Sequence, residues 1–136
     1  MAITEDRTAS TEDHTPDAPA KLIMFNIDCP DPGRSAAFYS AVLGWPVTHS
    51  EEQYAMIAAG GAAIGFGRVA DYLPPAWPGD PGVKRYHLDL AVGDLAAAAA
   101  TCRALGATTP DFQPGADRWR VMLDPAGHPF CLCLST

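Results

Sequence analysis

Residues 87–107, HLDLAVGDLAAAAATCRALGA, combine an alternating strand pattern with an amphipathic helical pattern, joined at Asp94. An earlier stretch, residues 24–31 with the sequence MFNIDCPD, has the same strand pattern and also ends on an aspartate before a helical pattern. The two stretches lie about 63 residues apart, from Met24 to His87 and from Asp31 to Asp94. A repeat of this length is too long for a solenoid unit, and it predicts two copies of a βαβββ half-domain.

The duplication predicts one α+β domain over residues 21–136. The chain has 136 residues, 48% of them hydrophobic, which suffices for a single core and not for two. We expect two half-modules, at about 21–70 and 84–136, that pair into a cupped mixed sheet with the helices on its convex side. The proline- and glycine-rich residues 72–82 predict the loop between them. Residues 1–20 carry five acids and one base without apolar periodicity, which predicts a disordered acidic tail.

Turn-forming residues divide each half into elements. Asp31 and Asp94 are placed to cap helices that end near Leu43 and Leu105. Strands are predicted over 22–29, 54–58 and 62–69 in the first half, and over 85–92, 119–123 and 130–134 in the second. Aligning the last strands by their glycine turns matches Cys131 with Gly65, an offset of 66 residues.

Charge and hydropathy exclude several classes of protein. The formal net charge is −7, of which residues 1–20 contribute −4 (one base minus five acids), so that −3 remains for the rest. Nucleic-acid binding needs clustered Lys and Arg, which this composition does not offer. No apolar run approaches the roughly 18 residues of a membrane span, and no export signal is visible. We therefore expect a cytoplasmic protein with neither nucleic-acid nor membrane partners.

The four cysteines do not predict a disulfide framework. Cys131 and Cys133 are two residues apart on a strand, which separates their Cβ atoms by about 6.5–7 Å, whereas a disulfide needs roughly 3.8 Å. Reduced thiols agree with a cytoplasmic location.

Three strings carry a family resemblance: DCPDPGRSAAFYSAVLGW, HLDLAVGDLAAAAATCRALGA and RWRVMLDPAGHPFCL. With them the chain, from Lys21 onward, resembles the vicinal oxygen chelate (VOC) superfamily, and within it the glyoxalase-like domains related to glyoxalase I, bleomycin-resistance proteins and extradiol dioxygenases. The resemblance implies paired βαβββ modules and a homodimer. It does not imply one reaction, because the superfamily includes isomerases, lyases, dioxygenases, epimerases and drug-binding proteins.

The resemblance also implies where a metal would be held. Metal-dependent members use four inward positions on the first and last strands of each half, and these correspond here to Met24, Gly65, His87 and Cys131. Only His87 is an ordinary ligand of that family, since Met24 is a soft thioether, Gly65 has no side chain and Cys131 replaces a carboxylate. We therefore expect no metal cofactor, with a divalent metal as the alternative. A soft zinc-like site of Cys131, Cys133 and His87 would need a bulge in the strand.

His87, Asp89 and Asp28 are the candidate catalytic residues. Strand alternation directs all three into the predicted cavity, where a carboxylate is costly unless it is paired or solvated. Imidazole titrates near neutral pH, so His87 is suited to proton transfer or ligand binding. Two other interpretations stay open for His87: a half-buried residue hydrogen-bonded to a neighbouring carboxylate, and a metal ligand.

The remaining candidates are assigned to ligand binding, and all except Trp77 of the crossover loop are expected on the same inward face. For Arg120 and Met122 the inward direction rests on alternation counted back from Asp124. Arg120 either orients an anionic or carbonyl ligand or forms an outward salt bridge. Trp77 either covers the pocket or anchors the crossover loop, and His128 is expected as a turn residue only. The full set is Met24, Asn26, Tyr54, Met56, Trp77, Arg120, Met122, Cys131 and Cys133.

These features favour a protein that holds a small organic ligand without the standard VOC metal site. It either binds the ligand or transforms it without a metal, using His87 with Asp28 or Asp89. The alternative is a divalent-metal-dependent lyase, isomerase or dioxygenase of the superfamily. A structural or partner-binding protein is a third class, suggested by the acidic tail.

Overall fold

The computed structural model of the protein describes residue 19 and residues 21–78 and 86–134. The predicted tail lies, apart from Pro19, outside the described residues, as do the second part of the predicted crossover loop and the first residue of the strand predicted over 85–92. In the described part of the chain, no helix is long and apolar enough to cross a membrane.

The helices and strands of the described residues follow one another in two similar series. The first half contains β1 (Phe25–Cys29), α1 (Pro32–Leu43), β2 (Val47–Ser50), β3 (Tyr54–Ala59) and β4 (Ala62–Arg68). The second half contains β5 (Leu88–Val92), α2 (Leu95–Ala104), β6 (Trp119–Leu123) and β7 (Pro129–Leu134). The α+β class is confirmed. The first half has the predicted βαβββ order, whereas the described residues of the second half form βαββ.

The two sheets have the same topology. The order is β1-β4-β3-β2 in the first and β5-β7-β6 in the second. In both, the first strand runs parallel to the last, and the other neighbours are antiparallel. The counterpart of β2 in the second half is reduced to a single bridge between Thr108 and Leu123. The repeat in the sequence is therefore a repeat of topology.

The strand registers also repeat. Asn26 pairs with Gly65 in the first sheet, and Asp89 pairs with Cys131 in the second. Asn26 and Asp89 differ by 63 in number, and Gly65 and Cys131 by 66, which are the offsets found in the sequence. The face of each sheet that carries these pairs is called the helix-free face below, because the helices pack on the opposite face.

Both helices begin at an aspartate. The Asp31 carboxylate accepts a hydrogen bond from the Arg34 backbone N–H at 3.2 Å, and Asp94 accepts one from Ala97 at 2.9 Å. Such caps satisfy amide groups that have no partner within the helix. Gly44 ends α1 in the left-handed conformation, with φ of 73°. The predicted helix boundaries are confirmed to within one residue.

One core joins the two halves. The aromatic rings of Phe38 and Tyr39 on α1 pack on Phe130 of β7, with ring centroids 5.7 and 5.9 Å apart. Tyr39 also stacks on Phe66 of β4. Its hydroxyl donates to Asp124 Oδ2 at 2.8 Å, a buried bond between residues 85 positions apart. The first helix is therefore packed against both sheets.

The predicted βαβββ plan includes the strand β2, but the sequence pattern did not locate it. All four of its residues are exposed, so they show no alternation between apolar and polar side chains. Its pairing with β3 is also irregular between Val47 and His49. A solvated edge strand of this kind leaves no hydrophobic pattern in the sequence.

Candidate functional site

The helix-free face of the first sheet is filled around Gly65. Met24, Asn26 and Tyr54 converge there, and the Tyr54 hydroxyl donates to the Met24 sulfur at 3.0 Å. A Cβ atom placed on Gly65 would collide with Asn26 Oδ1 and the Tyr54 hydroxyl and would lie 3.0 Å from the Met24 sulfur. A larger side chain at position 65 would therefore require the ends of the Asn26, Tyr54 and Met24 side chains to move.

The corresponding part of the second sheet carries three potential metal-binding or acid–base groups. His87 Nε2 and Asp89 Oδ1 lie 3.1 Å apart. A ring nitrogen of His87, a carboxylate oxygen of Asp89 and the Cys131 sulfur all lie within 4.8 Å of one another. Cys131 is 2% exposed, whereas the side chains of His87 and Asp89 are 23% and 63% exposed. The group therefore extends from the protein interior to the solvent.

The four positions implied by the VOC resemblance do not fit its standard octahedral metal. The first half offers only the thioether of Met24, whose sulfur accepts a hydrogen bond from Tyr54, and Gly65, whose side-chain space is taken. A hard divalent ion prefers oxygen and imidazole donors. The first half supplies neither at its two positions.

A cavity of about 350 Å³ lies along the free edge of β1, between the two half-modules. Its walls are partly apolar, from Phe25, Ile27 and Leu73, and its polar groups come from both halves of the chain. The lining residues are Phe25, Asn26, Ile27, Asp28, Tyr72, Leu73, Pro75, Tyr86 and His128.

Tyr72 is the polar residue of this cavity with the most unusual surroundings. Its hydroxyl is buried and has no hydrogen-bond partner among the described residues. Burial, followed by the nearby carboxylate of Asp124, the thiol of Cys29 and the carboxylate of Asp28, raises the pKa of Tyr72 to about 12. The phenol therefore stays protonated at neutral pH and is a hydrogen-bond donor.

The predicted inward direction of Arg120 and Met122 was wrong. Val121, and not its neighbours, is paired with Cys131 on the helix-free face. Met122 is fully buried in the core, and Arg120 lies in a shallow depression beside α2. Side chains alternate along β6 as predicted, but the prediction assumed that Asp124 faces the helix-free side. The Asp124 carboxylate instead points toward the helices, where it accepts the Tyr39 hydrogen bond.

Other predicted ligand-binding residues are distributed over two places. Met56 is paired with Gly65 on the helix-free face of the first sheet, and Cys133 follows Cys131 on that of the second. Trp77 does not line the main cavity but packs on Phe112, with ring centroids 5.7 Å apart. Of the two interpretations given for Trp77, this contact agrees with an anchor for the crossover loop.

The structure brings together only some of the candidate catalytic residues. His87 and Asp89 are adjacent, whereas Asp28 lines the cavity, whose lining includes neither of them. Their catalytic role stays a prediction. Tyr72 and Tyr86 were not predicted as cavity residues, and His128 was predicted only as a turn residue. Tyr72 lies in an irregular loop, so no periodic signal marks it.

A family model settles the relationship of the chain. The model of the glyoxalase-like domain matches residues 24–133. The chain belongs to the glyoxalase-like domain family. The predicted relationship to the VOC superfamily is thereby confirmed. The sequence has no significant match among curated proteins.

Solved structures of glyoxalase-like proteins share the fold. A glyoxalase/bleomycin resistance protein from Albidiferax ferrireducens is 21% identical, with a TM-score of 0.57 over 85% of this chain and 98% of that one. A glyoxalase/bleomycin resistance protein/dioxygenase family enzyme from Burkholderia phytofirmans is 20% identical, with a TM-score of 0.60 over 86% and 100%. A glyoxalase-related enzyme from Fulvimarina pelagi is 16% identical, with a TM-score of 0.60 over 85% and 88%. At these identities the likeness concerns the fold alone.

Proposed function

We propose that this glyoxalase-like protein binds a small organic ligand in the cavity between its half-modules, without the standard metal site of the VOC superfamily. The volume of about 350 Å³ suits a small molecule, since ligand pockets commonly measure about 300–1,000 Å³. Apolar walls with a few polar groups are the usual composition of such pockets.

The observation that carries the proposal is the hydroxyl of Tyr72. A buried donor without a partner costs about 1–3 kcal/mol, and a ligand acceptor in the cavity would remove this cost. Asn26 and Asp28 of β1 line the same cavity, and so does His128 from the turn between β6 and β7. These groups can orient a polar ligand, while Phe25 and Leu73 contact its apolar part.

Turnover, if it occurs, is proposed to proceed without a metal. Neither His87 nor Asp89 lines the cavity, so the reacting group of the ligand would have to reach the helix-free face of the second sheet. There His87 would transfer protons, and Asp89, 3.1 Å from its Nε2, would hold the ring in one orientation. If the ligand is processed, His87→Ala should lower turnover at least tenfold while the protein stays folded. The predicted homodimer and the predicted cytoplasmic location also stay predictions.

The alternative function is that of a metal-dependent lyase, isomerase or dioxygenase. The observation in its favour is the group of His87, Asp89 and Cys131, whose donor atoms lie within 4.8 Å of one another. Turnover that requires a stoichiometric divalent ion would support it and would exclude the metal-independent form of catalysis.

The binding proposal can be tested with a library of fragment-sized organic compounds, screened against the full chain by saturation-transfer NMR. For compounds that bind, Tyr72→Phe and Asp28→Asn are expected to weaken affinity at least tenfold, or about 1.4 kcal/mol. The matched control is Asp117→Asn, since Asp117 is exposed and does not line the cavity. An absence of bound compounds, or affinities unchanged in both cavity variants, would contradict the proposal.

A further inference from the structure

His87, Asp89 and Cys131 form a group that lies outside the lining of the cavity. Asp89 and Cys131 are direct partners in the parallel pair of β5 and β7, and His87 precedes Asp89 by two residues on the same face. Their side chains therefore converge on one point of the second sheet. Strand pairing, and not a loop, fixes the position of this group.

The spacing of the three donors is close to that of a tetrahedral zinc site. Zinc binds sulfur at about 2.3 Å and nitrogen or oxygen at about 2.0–2.2 Å, which places neighbouring donors about 3.3–3.8 Å apart. His87 Nε2 and Asp89 Oδ1 are separated by 3.1 Å, and the whole set lies within 4.8 Å. Side-chain adjustments of about 1 Å would bring all three donors to zinc distances.

The donor types select the kind of ion. A thiolate and an imidazole favour zinc or another thiophilic ion over magnesium or calcium, which prefer oxygen donors. Three protein donors leave one tetrahedral position for a water molecule or a ligand. Asp89 is the most exposed of the three and gives access from solvent, while Cys131 is buried behind it.

We propose that His87, Asp89 and Cys131 bind one thiophilic divalent ion, such as zinc, entirely within the second half-module. The site shares His87 and Cys131 with the four-position VOC set, but it excludes Met24 and Gly65 and takes its third donor from Asp89. It also replaces the combination of Cys131, Cys133 and His87 considered from the sequence, since Asp89 supplies the third donor without a bulge. The expectation of no metal is revised for this one site.

The corresponding positions of the first half-module can be compared with the proposed metal site. The residues that correspond to His87, Asp89 and Cys131 are Met24, Asn26 and Gly65, and they offer no imidazole, carboxylate or thiol. The proposal therefore predicts one ion per chain and not two.

The test uses cobalt(II) as an optical probe of the zinc site, added to the full-length protein after treatment with a chelator under reducing conditions. We expect one cobalt ion per chain, a thiolate-to-cobalt charge-transfer band and the visible spectrum of tetrahedral cobalt. One equivalent of zinc should displace the cobalt. Octahedral cobalt without the charge-transfer band, or no stoichiometric uptake, would overturn the proposal.

Three variants assign the donors. Cys131→Ser should abolish the charge-transfer band, and Asp89→Asn should keep the band but weaken zinc binding at least tenfold. Cys133→Ser, on the same strand and face, is the matched control and should change neither. If the band is lost with Cys133→Ser and kept with Cys131→Ser, the assignment is wrong.

Folding and the separate cavity proposal are controlled in the same series. The Asp89 side chain is 63% exposed, so the Asp89→Asn variant should stay folded. Its zinc affinity therefore tests the site even if Cys131→Ser does not fold. Tyr72→Phe changes the cavity and not the donor set, and it should leave the cobalt spectrum unchanged. A negative result in the fragment screen would therefore not contradict the metal site, and a negative cobalt titration would not contradict ligand binding in the cavity.

Discussion

The first and second half-modules share one backbone plan but use the same positions for different purposes. At the pair Asn26 and Gly65, the first sheet is closed by the side chains of Met24 and Tyr54. At the corresponding pair Asp89 and Cys131, the second sheet presents a carboxylate and a thiol beside His87. The two copies thus keep one strand register, while one carries donor groups where the other carries packed side chains. At these corresponding positions, the imidazole, carboxylate and thiol groups able to bind a metal or transfer a proton are therefore present in the second half and absent from the first.

The largest expected effect concerns the two faces of β7. Phe130 is fully buried among the rings of α1, so Phe130→Ala should lower the free energy of unfolding by about 3–5 kcal/mol. Cys131→Ser changes the opposite face and should cost about 1 kcal/mol. Urea denaturation measures both. Equal losses would mean that the two faces of the second sheet are not divided between core and site.

The next effect concerns the bond that joins the halves. Tyr39→Phe removes the buried hydrogen bond from α1 to Asp124, and it should cost about 1.5–3 kcal/mol because a carboxylate accepts that bond. The phenylalanine ring would retain the packing, so the loss in urea denaturation measures the bond together with the cost of leaving the buried Asp124 carboxylate without this donor. A loss below about 0.5 kcal/mol would show that the halves are held together by packing only.

The same residue predicts a dependence on pH. Burial, and then the adjacent Asp124 carboxylate, raise the pKa of Tyr39 well above its usual value. The folded state therefore holds this proton more tightly than the unfolded chain, whose tyrosines titrate near pH 10. The stabilisation is complete below about pH 10 and is lost as the pH rises further. Tyr39→Phe should show a shallower loss of stability above about pH 10 than the unchanged protein, and parallel curves would contradict this cause.

A smaller effect tests whether side chains fill the helix-free face of the first sheet at Gly65. Gly65→Ala displaces the ends of the Asn26 and Tyr54 side chains and disturbs the hydrogen bond from Tyr54 to Met24, and it should cost about 1–2 kcal/mol. Gly67→Ala is the matched control, two residues along the same strand, because a Cβ atom there meets nothing within 4 Å. We expect the control to change stability by less than about 0.5 kcal/mol. If both variants unfold at the same urea concentration, the first face is not closed at Gly65.

The smallest effect tests a feature that the halves share. Asp31→Ala and Asp94→Ala each remove a helix cap and should each cost about 1 kcal/mol. Thermal unfolding of the two variants measures the difference between them. A much larger loss for one of them would mean that the corresponding aspartate does more than cap its helix.

The sequence predicted most of the fold because its signals were local. Asp31 and Asp94 mark helix starts, and alternation marks the strands that have one buried face. The solvated strand β2 carries no such signal. The duplication predicted that the two sheets share one strand register, since the offsets of 63 and 66 residues reappear in the pairing within each half.

The candidate site was predicted less completely because it depends on contacts between distant residues. The adjacency of His87 and Asp89 follows from alternation along one strand. The inward assignment of Arg120 and Met122 failed, because the direction of Asp124 is set by Tyr39, 85 residues away. Tyr72 reaches the cavity from an irregular loop, and nothing in its neighbourhood in the sequence indicates that position.

The packing of α1 on Phe130 has a consequence for how the chain folds during synthesis. Phe38 and Tyr39 leave the ribosome long before Phe130, the ring that completes their cluster. Contacts between such distant residues slow folding, because loop closure must precede the gain from packing. Tyr39 can stack on Phe66 within the first half, but the side of the cluster that Phe130 covers stays open until residue 130 has left the ribosome. Chaperone binding to nascent chains should be strongest in that interval and should end once β7 is in place.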